Sequence, residues 1–399
     1  MLIYVISVGP KNDTSYFLSA FPKKDSIMPL NLVCSNCSRK YPDNKIVWRC
    51  DCGGLLDIEY RAELPIDTIG TRYPDMWRYR EALPVRDDSS VVSFSEGFTP
   101  LVKQSYSGRE AHLKLDFLFP TGSFKDRGAS LLISKVKELG IGHIVEDSSG
   151  NAGAAIAAYA AKADIQCDIF VPAAASGAKA EQIRAYGARV HEIDGTREDV
   201  AEAALNAAEK SYYASHSWNP FFFQGTKTIA YEITEQLGWR IPDALVVPVG
   251  NGTLLLGAYI GFSDIVTAGI AERLPRLIAV QASRCSPLHR AFHDGSMEFS
   301  RDCRETTIAE GIAVAEPVRK KQILDAVQES GGTFITVEEY EITAACEESA
   351  LNGLYIEPTA AAGIAGLKKF LSDASPEGTI VGVVTGHGLK KQHTRSVLA

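Results

Sequence analysis

The chain has 399 residues, of which 45% are hydrophobic and 23% charged, and its formal net charge is -8. That length exceeds what one hydrophobic core usually fills, so two lobes are expected, and so ordinary a composition excludes a disordered chain. The acidic balance argues against nucleic acid or an anionic membrane as the main partner, and no apolar run approaches the roughly 20 residues of a membrane span.

Residues 1–30 match nothing that follows and read as an extension that packs poorly, with Met28 an alternative start. The opening MLIYVISVGPKNDTS has no basic residue ahead of its apolar part and makes a poor signal peptide, so a cytoplasmic location is expected. Residues 31–62 carry Cys34, Cys37, Cys50 and Cys52. Two such knuckles about a dozen residues apart can close a tetrahedral zinc site, and Gly53 and Gly54 supply the backbone freedom a knuckle needs. The second pair is C-x-C, one residue tighter than C-x₂-C, so a zinc-ribbon-like module with structural Zn²⁺ and a degenerate knuckle without metal both stay open. No basic excess between Asn31 and Tyr60 suggests nucleic-acid binding. The remaining cysteines, Cys167, Cys285, Cys303 and Cys346, are scattered and read as reduced or buried thiols.

From Ala62 to Pro84 the chain is linker-like, with Trp77 and Tyr79 expected to pin it to the body. Helices and strands then alternate. The Ala-rich run 153–163 predicts a helix, with Ser149 and Asn151 as N-cap candidates. Residues 167–171 read as a buried strand, 178–186 as a helix closed by Gly187, and 189–193 as a strand. Helices follow at 198–210 and 226–237, with strands at 244–249, 277–281 and 379–384. This alternation predicts an α/β fold with parallel-type sheets covered by helices.

Three glycine-bearing motifs stand at strand ends. In PTGSFKDRG, Pro120 to Gly128, Lys125 follows a turn and opens a helix. A lysine that carries an aldehyde needs such a fixed backbone, although alone it reads as a surface residue beside Asp126 and Arg127. In DSSGNAG, Asp147 to Gly153, the start of a helix offers free N–H groups to an anion, or is a plain N-cap. In VPVGNGTLLLG, Val247 to Gly257, a buried strand meets a glycine turn and a helix, a geometry that cradles phosphate. It is neither a Walker A loop nor a GxGxxG fingerprint.

In this order the motifs resemble those of the fold-type-II pyridoxal-phosphate enzymes, the tryptophan synthase β-subunit-like family, and within it the threonine synthases. The resemblance spans roughly residues 31–390 and includes EGFTPL at 96–101, GTKTIAYEITEQLG at 225–238, IEPTAAAGIAGL at 356–367 and TGHGLK at 385–390. It implies two lobes, a large one of residues 63–129 and 214–399 and a small one of residues 130–213, with pyridoxal 5'-phosphate between them. Lys125 matches the Schiff-base lysine and Phe124 the residue before it. Asn151 matches the partner of the cofactor's 3′ oxygen. Gly250, Asn251, Gly252, Thr253 and Leu254 match the phosphate loop, and Thr385 the hydroxyl at the pyridine nitrogen. Ser148, Ser149, Gly150 and Asn219 match substrate-binding positions, while His387 reads as structural.

The resemblance further implies a homodimer that makes L-threonine and phosphate from O-phospho-L-homoserine and water. Two departures make the site more apolar. Phe222 stands where the family usually has a phosphate-gripping arginine, and Phe119 where asparagine is common. Arg127, Lys227 or Asn219 are the candidates to compensate. A paralogue with another leaving group therefore remains the alternative, acting by cysteate-synthase-like replacement or dehydratase-like elimination. A non-catalytic zinc-ribbon binding protein on a dead scaffold is the alternative from another class.

Overall fold

The computed structural model describes residues 30–390 apart from 107, 174–177, 196, 296–305 and 374–377. Of the expected extension 1–30, residues 1–29 lie outside the described residues, as does Cys303, while Leu30 is described and buried. Strands run, in chain order, as β1 (Asn31–Cys34), β2 (Lys40–Pro42), β3 (Leu56–Glu59), β4 (Leu101–Tyr106), β5 (Arg109–Lys114), β6 (His143–Glu146), β7 (Gln166–Pro172), β8 (Arg189–Ile193), β9 (Tyr212–Tyr213), β10 (Ala244–Pro248), β11 (Arg276–Ala282), β12 (Thr333–Val337) and β13 (Ile380–Val383).

Among the described residues these form three sheets: an antiparallel β2-β1-β3, a six-stranded β12-β11-β10-β13-β5-β4, and a four-stranded β8-β7-β6-β9. The four-stranded sheet is parallel throughout, and the six-stranded sheet is parallel except for its antiparallel edge pair β4–β5. Strand β10, the ALVVP run, is buried along its whole length, as a parallel strand covered on both faces must be. The α/β class read from the alternation is what the chain adopts. β5, β10 and β13 run parallel in one sheet and end at its carboxyl edge, where open α/β sheets bind ligands.

The stretch 62–84 is better packed than a linker. Trp77 Nε1 donates to Ser130 Oγ at 3.0 Å, Tyr79 donates its hydroxyl to Glu235 at 2.6 Å, and Arg78 pairs with Glu235 at 3.0 Å. The helix expected at 226–237 is two, Pro220–Thr226 and Thr228–Gln236, because Asn219 caps an earlier start with Pro220 in its first turn. Cys285 is disulfide-bonded, which corrects its reading as a thiol.

The antiparallel sheet leans on the segment after β9. Trp48 meets the rings of Tyr213 and Trp218 edge-on, with centroids 4.9 and 5.7 Å away. Buried Arg319 donates to Asp57 at 2.6 Å and to the carbonyls of Leu56, Trp218 and Ser217 at 2.8, 3.0 and 3.2 Å.

A buried ionic cluster joins β5 to two helices. Arg127 reaches Asp116 through Nε and Nη2 at 2.8 Å each, and Glu232 at 2.5 and 2.8 Å. Lys114 meets the same Glu232 at 2.7 Å, and all four side chains are fully buried. Burial alone would raise the Glu232 carboxyl, but the charges of Arg127 and Lys114 outweigh it and hold its pKa down at about 2. Neutralising this carboxylate leaves Asp116 alone to balance the buried charges of Arg127 and Lys114. Glu232→Gln is therefore expected to lower unfolding free energy by about 3–5 kcal/mol, read from denaturant melts. The folded pKa lies below the unfolded value near 4.5, so Glu232 stabilises fully above that value and its contribution is lost as pH falls toward 2. The gap between native and variant melts is expected to close over that window.

Candidate active site

The turn that carries Lys125 is held from both sides. Gly122 sits at φ +81°, a left-handed conformation that suits glycine. The backbone N–H of Thr121 donates to the Asp126 carboxylate at 2.9 Å, and its hydroxyl bonds the same group. Phe124 N–H donates to the Thr385 carbonyl at 3.0 Å, and Ser123 bridges Gly386. Lys125 is then the first residue of the helix Lys125–Glu138. Its Nζ donates to Thr253 Oγ1 at 3.0 Å and lies 4.9 and 5.7 Å from the ring centroids of Phe124 and Phe222. Residues 128 positions apart in the chain thus meet at one amine.

Thr253 opens the helix Thr253–Thr267 directly after the glycine turn. Gly252 adopts φ 71°, and a Cβ there would strike Ile323 at 2.4 Å; a Cβ on Gly250 would meet Ile312 Cα at 2.9 Å. No side chain caps this helix, so its first N–H groups are presented by backbone alone, and Leu254 is buried behind them.

The helix Asn151–Lys162 likewise has no side-chain cap, and its N-cap is Gly150 rather than the expected Ser149 or Asn151. Ser148 Oγ accepts from Gly150 N–H at 3.3 Å. Asn151 already has helical geometry, and its Nδ2 donates to Glu357 at 2.7 Å.

Lys125, Phe124, Thr253 and Thr385 are thus brought together by direct contacts. The Asn219 side chain accepts from Phe221 N–H at 3.1 Å and donates to the Tyr212 hydroxyl at 2.7 Å. His387 accepts from Leu389 N–H at 3.1 Å and packs against Phe117 and Tyr355. Phe222 is fully buried, with its ring lying where a Cβ on Gly128 would be, so glycine in the lysine's helix makes room for it.

Pyridoxal phosphate fits this set. Among the described residues the buried Thr385 Oγ1 and Asn151 Oδ1 have no hydrogen-bond partner, and such atoms are costly unless a polar group meets them. The uncapped helix behind Gly250–Gly252 suits the phosphate.

Two groups escaped sequence reasoning. Glu357 holds Asn151, and it stands in the IEPTAAAGIAGL motif, which was the available signal. Glu146 and His216 pair at 2.7 Å, joined by the parallel pairing of β6 with β9, and carried no local signal.

In the antiparallel module, Cys34 and Cys52 sulfurs lie 3.5 Å apart and those of Cys37 and Cys50 3.6 Å apart. All four fall within 4.8 Å of one another, a set able to hold one ion.

The family described as pyridoxal-phosphate dependent enzyme matches residues 92–386. A threonine synthase of Methanocaldococcus jannaschii is 36% identical over 372 residues, covering 90% of this chain and 92% of its own. That of Methanosarcina acetivorans is 34% identical over 378 residues, covering 91% and 93%, and that of Mycobacterium bovis is 36% identical over 327, covering 79% and 88%. Among solved structures, maize serine racemase superposes with a TM-score of 0.66 at 22% identity, covering 84% of this chain and 96% of its own, a likeness of fold. The chain belongs to the pyridoxal-phosphate dependent enzymes, in their threonine synthase branch.

Proposed function

We propose that this chain is a threonine synthase, converting O-phospho-L-homoserine and water into L-threonine and phosphate. The observation that carries the reading is the convergence of Lys125 Nζ on Thr253 at the glycine turn, with Thr385 bonded to the lysine's own turn, in a chain of this family. Pyridoxal phosphate, when bound, supplies the electron sink that makes bonds at the α and β carbons of an amino acid labile.

In this reading Lys125 is the attachment point and the base. Its amine sits half-buried between two phenyl rings, where it can take a proton from the α carbon and move one at the β carbon. Thr385 offers a neutral hydroxyl to the ring nitrogen, Asn151 an amide to the 3′ oxygen, and Gly250 to Leu254 a backbone cradle to the phosphate. The hydroxyls of Ser148 and Ser149 and the amide of Gly150 hold the substrate carboxylate at the start of their helix. The lobes are the four-stranded sheet with its helices, residues 130–213, and the six-stranded sheet with the remainder, residues 63–129 and 214–399. The same reading makes the enzyme a cytoplasmic homodimer.

Buried Phe222 favours a second reading, a related enzyme with a leaving group other than phosphate, because phenylalanine cannot fork onto a phosphate as arginine does. One assay separates the two. Purified protein carrying its cofactor is expected to release phosphate and L-threonine in equal amounts from O-phospho-L-homoserine, and Lys125→Ala to lose the activity by about 1,000-fold or more. No phosphate from protein that carries its cofactor, with turnover of phosphoserine or a free hydroxy amino acid, supports the second reading instead.

Cys34, Cys37, Cys50 and Cys52 form a closed four-thiolate set, which suits structural rather than catalytic zinc. Metal analysis of the purified protein is expected to find one zinc per chain, reduced to near zero in a Cys34→Ser, Cys50→Ser double variant. A metal content unchanged by the substitutions would place any zinc elsewhere.

A further inference from the structure

A buried carboxyl–imidazole pair faces the site and has no part in the chemistry described so far. Glu146 ends β6, immediately before the Asp147–Gly150 loop, and is fully buried. Its Oε1 meets His216 Nδ1 at 2.7 Å. His216, itself only 6% exposed, turns Nε2 toward Asn251 Nδ2 at 3.5 Å, on the glycine turn. Its ring stands edge-on to Phe222 at 6.0 Å, and Phe222 lies 5.7 Å from Lys125 Nζ. The pair therefore stands where the carboxylate loop, the phosphate loop and the Phe222 wall converge.

The cations that could replace an arginine at 222 are held by carboxylates. Arg127 belongs to the Asp116–Glu232 cluster, Lys227 pairs with Asp264 at 2.9 Å, and Lys179 with Glu357 at 3.7 Å. His216 differs in having two ring nitrogens. Nδ1 is held by Glu146, while Nε2 faces an amide whose rotation offers either a donor or an acceptor, so the surroundings accommodate both protonation states of the ring. Burial raises the Glu146 carboxyl well above its ordinary range, the neighbouring charge of Asp147 adds to that, and Lys125 opposes it.

Resting on the threonine synthase reading, we propose that His216, oriented by Glu146, is the acid that protonates the departing phosphate. As the bond from the γ carbon to oxygen breaks, its electron pair stays on oxygen. The Nε2–H bond breaks with its pair left on nitrogen, and the proton joins that oxygen, so phosphate leaves as the monohydrogen anion. The water that adds hydroxide to the β carbon gives up one proton, which returns to Nε2, while the proton taken from the β carbon completes the new methyl group. Protons and charge then balance over the turnover. Glu146 is a positioning residue, fixing the aim of the ring through its 2.7 Å contact with Nδ1.

The test uses holoenzyme of the native chain, His216→Gln, His216→Asn and Glu146→Gln. Two readouts are compared: phosphate release from O-phospho-L-homoserine, and α-proton exchange of L-2-aminobutyrate in D₂O by NMR, which needs the cofactor and Lys125 but no leaving group. Both His216 variants are expected to lose about 100-fold or more in kcat for phosphate release while exchange stays within about 2-fold, and Glu146→Gln to lose about 10-fold. Release within a few-fold of native, or release and exchange falling together in both His216 variants, overturns the role. So does loss of native activity on chelation with recovery on adding Mn²⁺, since Glu146, Asp147 and His216 are close enough to hold an ion. A native enzyme that exchanges the α proton but releases no phosphate overturns the reading beneath, and this inference with it.

Discussion

Two residues beyond Lys125, Arg127 carries a full charge into the interior, and much of the site's geometry follows from how that charge is met. Asp116, just past β5, takes one edge of the guanidinium, and Glu232 on the helix Thr228–Gln236 takes the other. Lys114 closes the circuit on Glu232. In a medium that penalises every unpaired charge, the cluster tolerates little displacement of any member. The start of the lysine's helix is thereby fixed against the central sheet on one side and the helix Thr228–Gln236 on the other. The Thr385 carbonyl and the Asp126 carboxylate then tie down the turn before it. Lys125 thus hangs from a turn held on both sides, as pre-organised chemistry at its amine would require.

The same cluster explains why Arg127 cannot stand in for an arginine at position 222. It is committed, and Phe119 stacks beside it at 4.8 Å. Phe222 in turn fits only because Gly128 leaves its ring room beneath the lysine's helix. The two phenylalanines that look like erosion of a polar site are thus part of its packing. They leave Glu146 and His216 as the polar pair in the wall that Phe222 forms.

Much of this was legible in the sequence because the motifs coincide with backbone necessities. A glycine at φ 71° between a buried strand and a helix, and a lysine just after a glycine turn, are local features that leave local marks. The strands at 189–193 and 244–249 were read to within a residue or so from apolar runs. What failed was decided by tertiary contact. The cap of the Asn151–Lys162 helix falls on Gly150 because Asn151 is drawn toward Glu357, some 200 residues away. The helix expected from 226 starts earlier because Asn219, itself bonded to Tyr212, caps it, and Pro220 was a signal for that start. Glu146 meets His216 only through the register of two parallel strands, which no spacing rule encodes.

The account turns on one covalent assignment, that Lys125 carries the cofactor. Borohydride reduction of the purified holoenzyme, followed by proteolysis and mass spectrometry, tests it without any substrate. The account expects one pyridoxyl group per chain, on the peptide that contains Lys125. A label on another lysine, with Lys125 unmodified in protein that retains its cofactor, would contradict it.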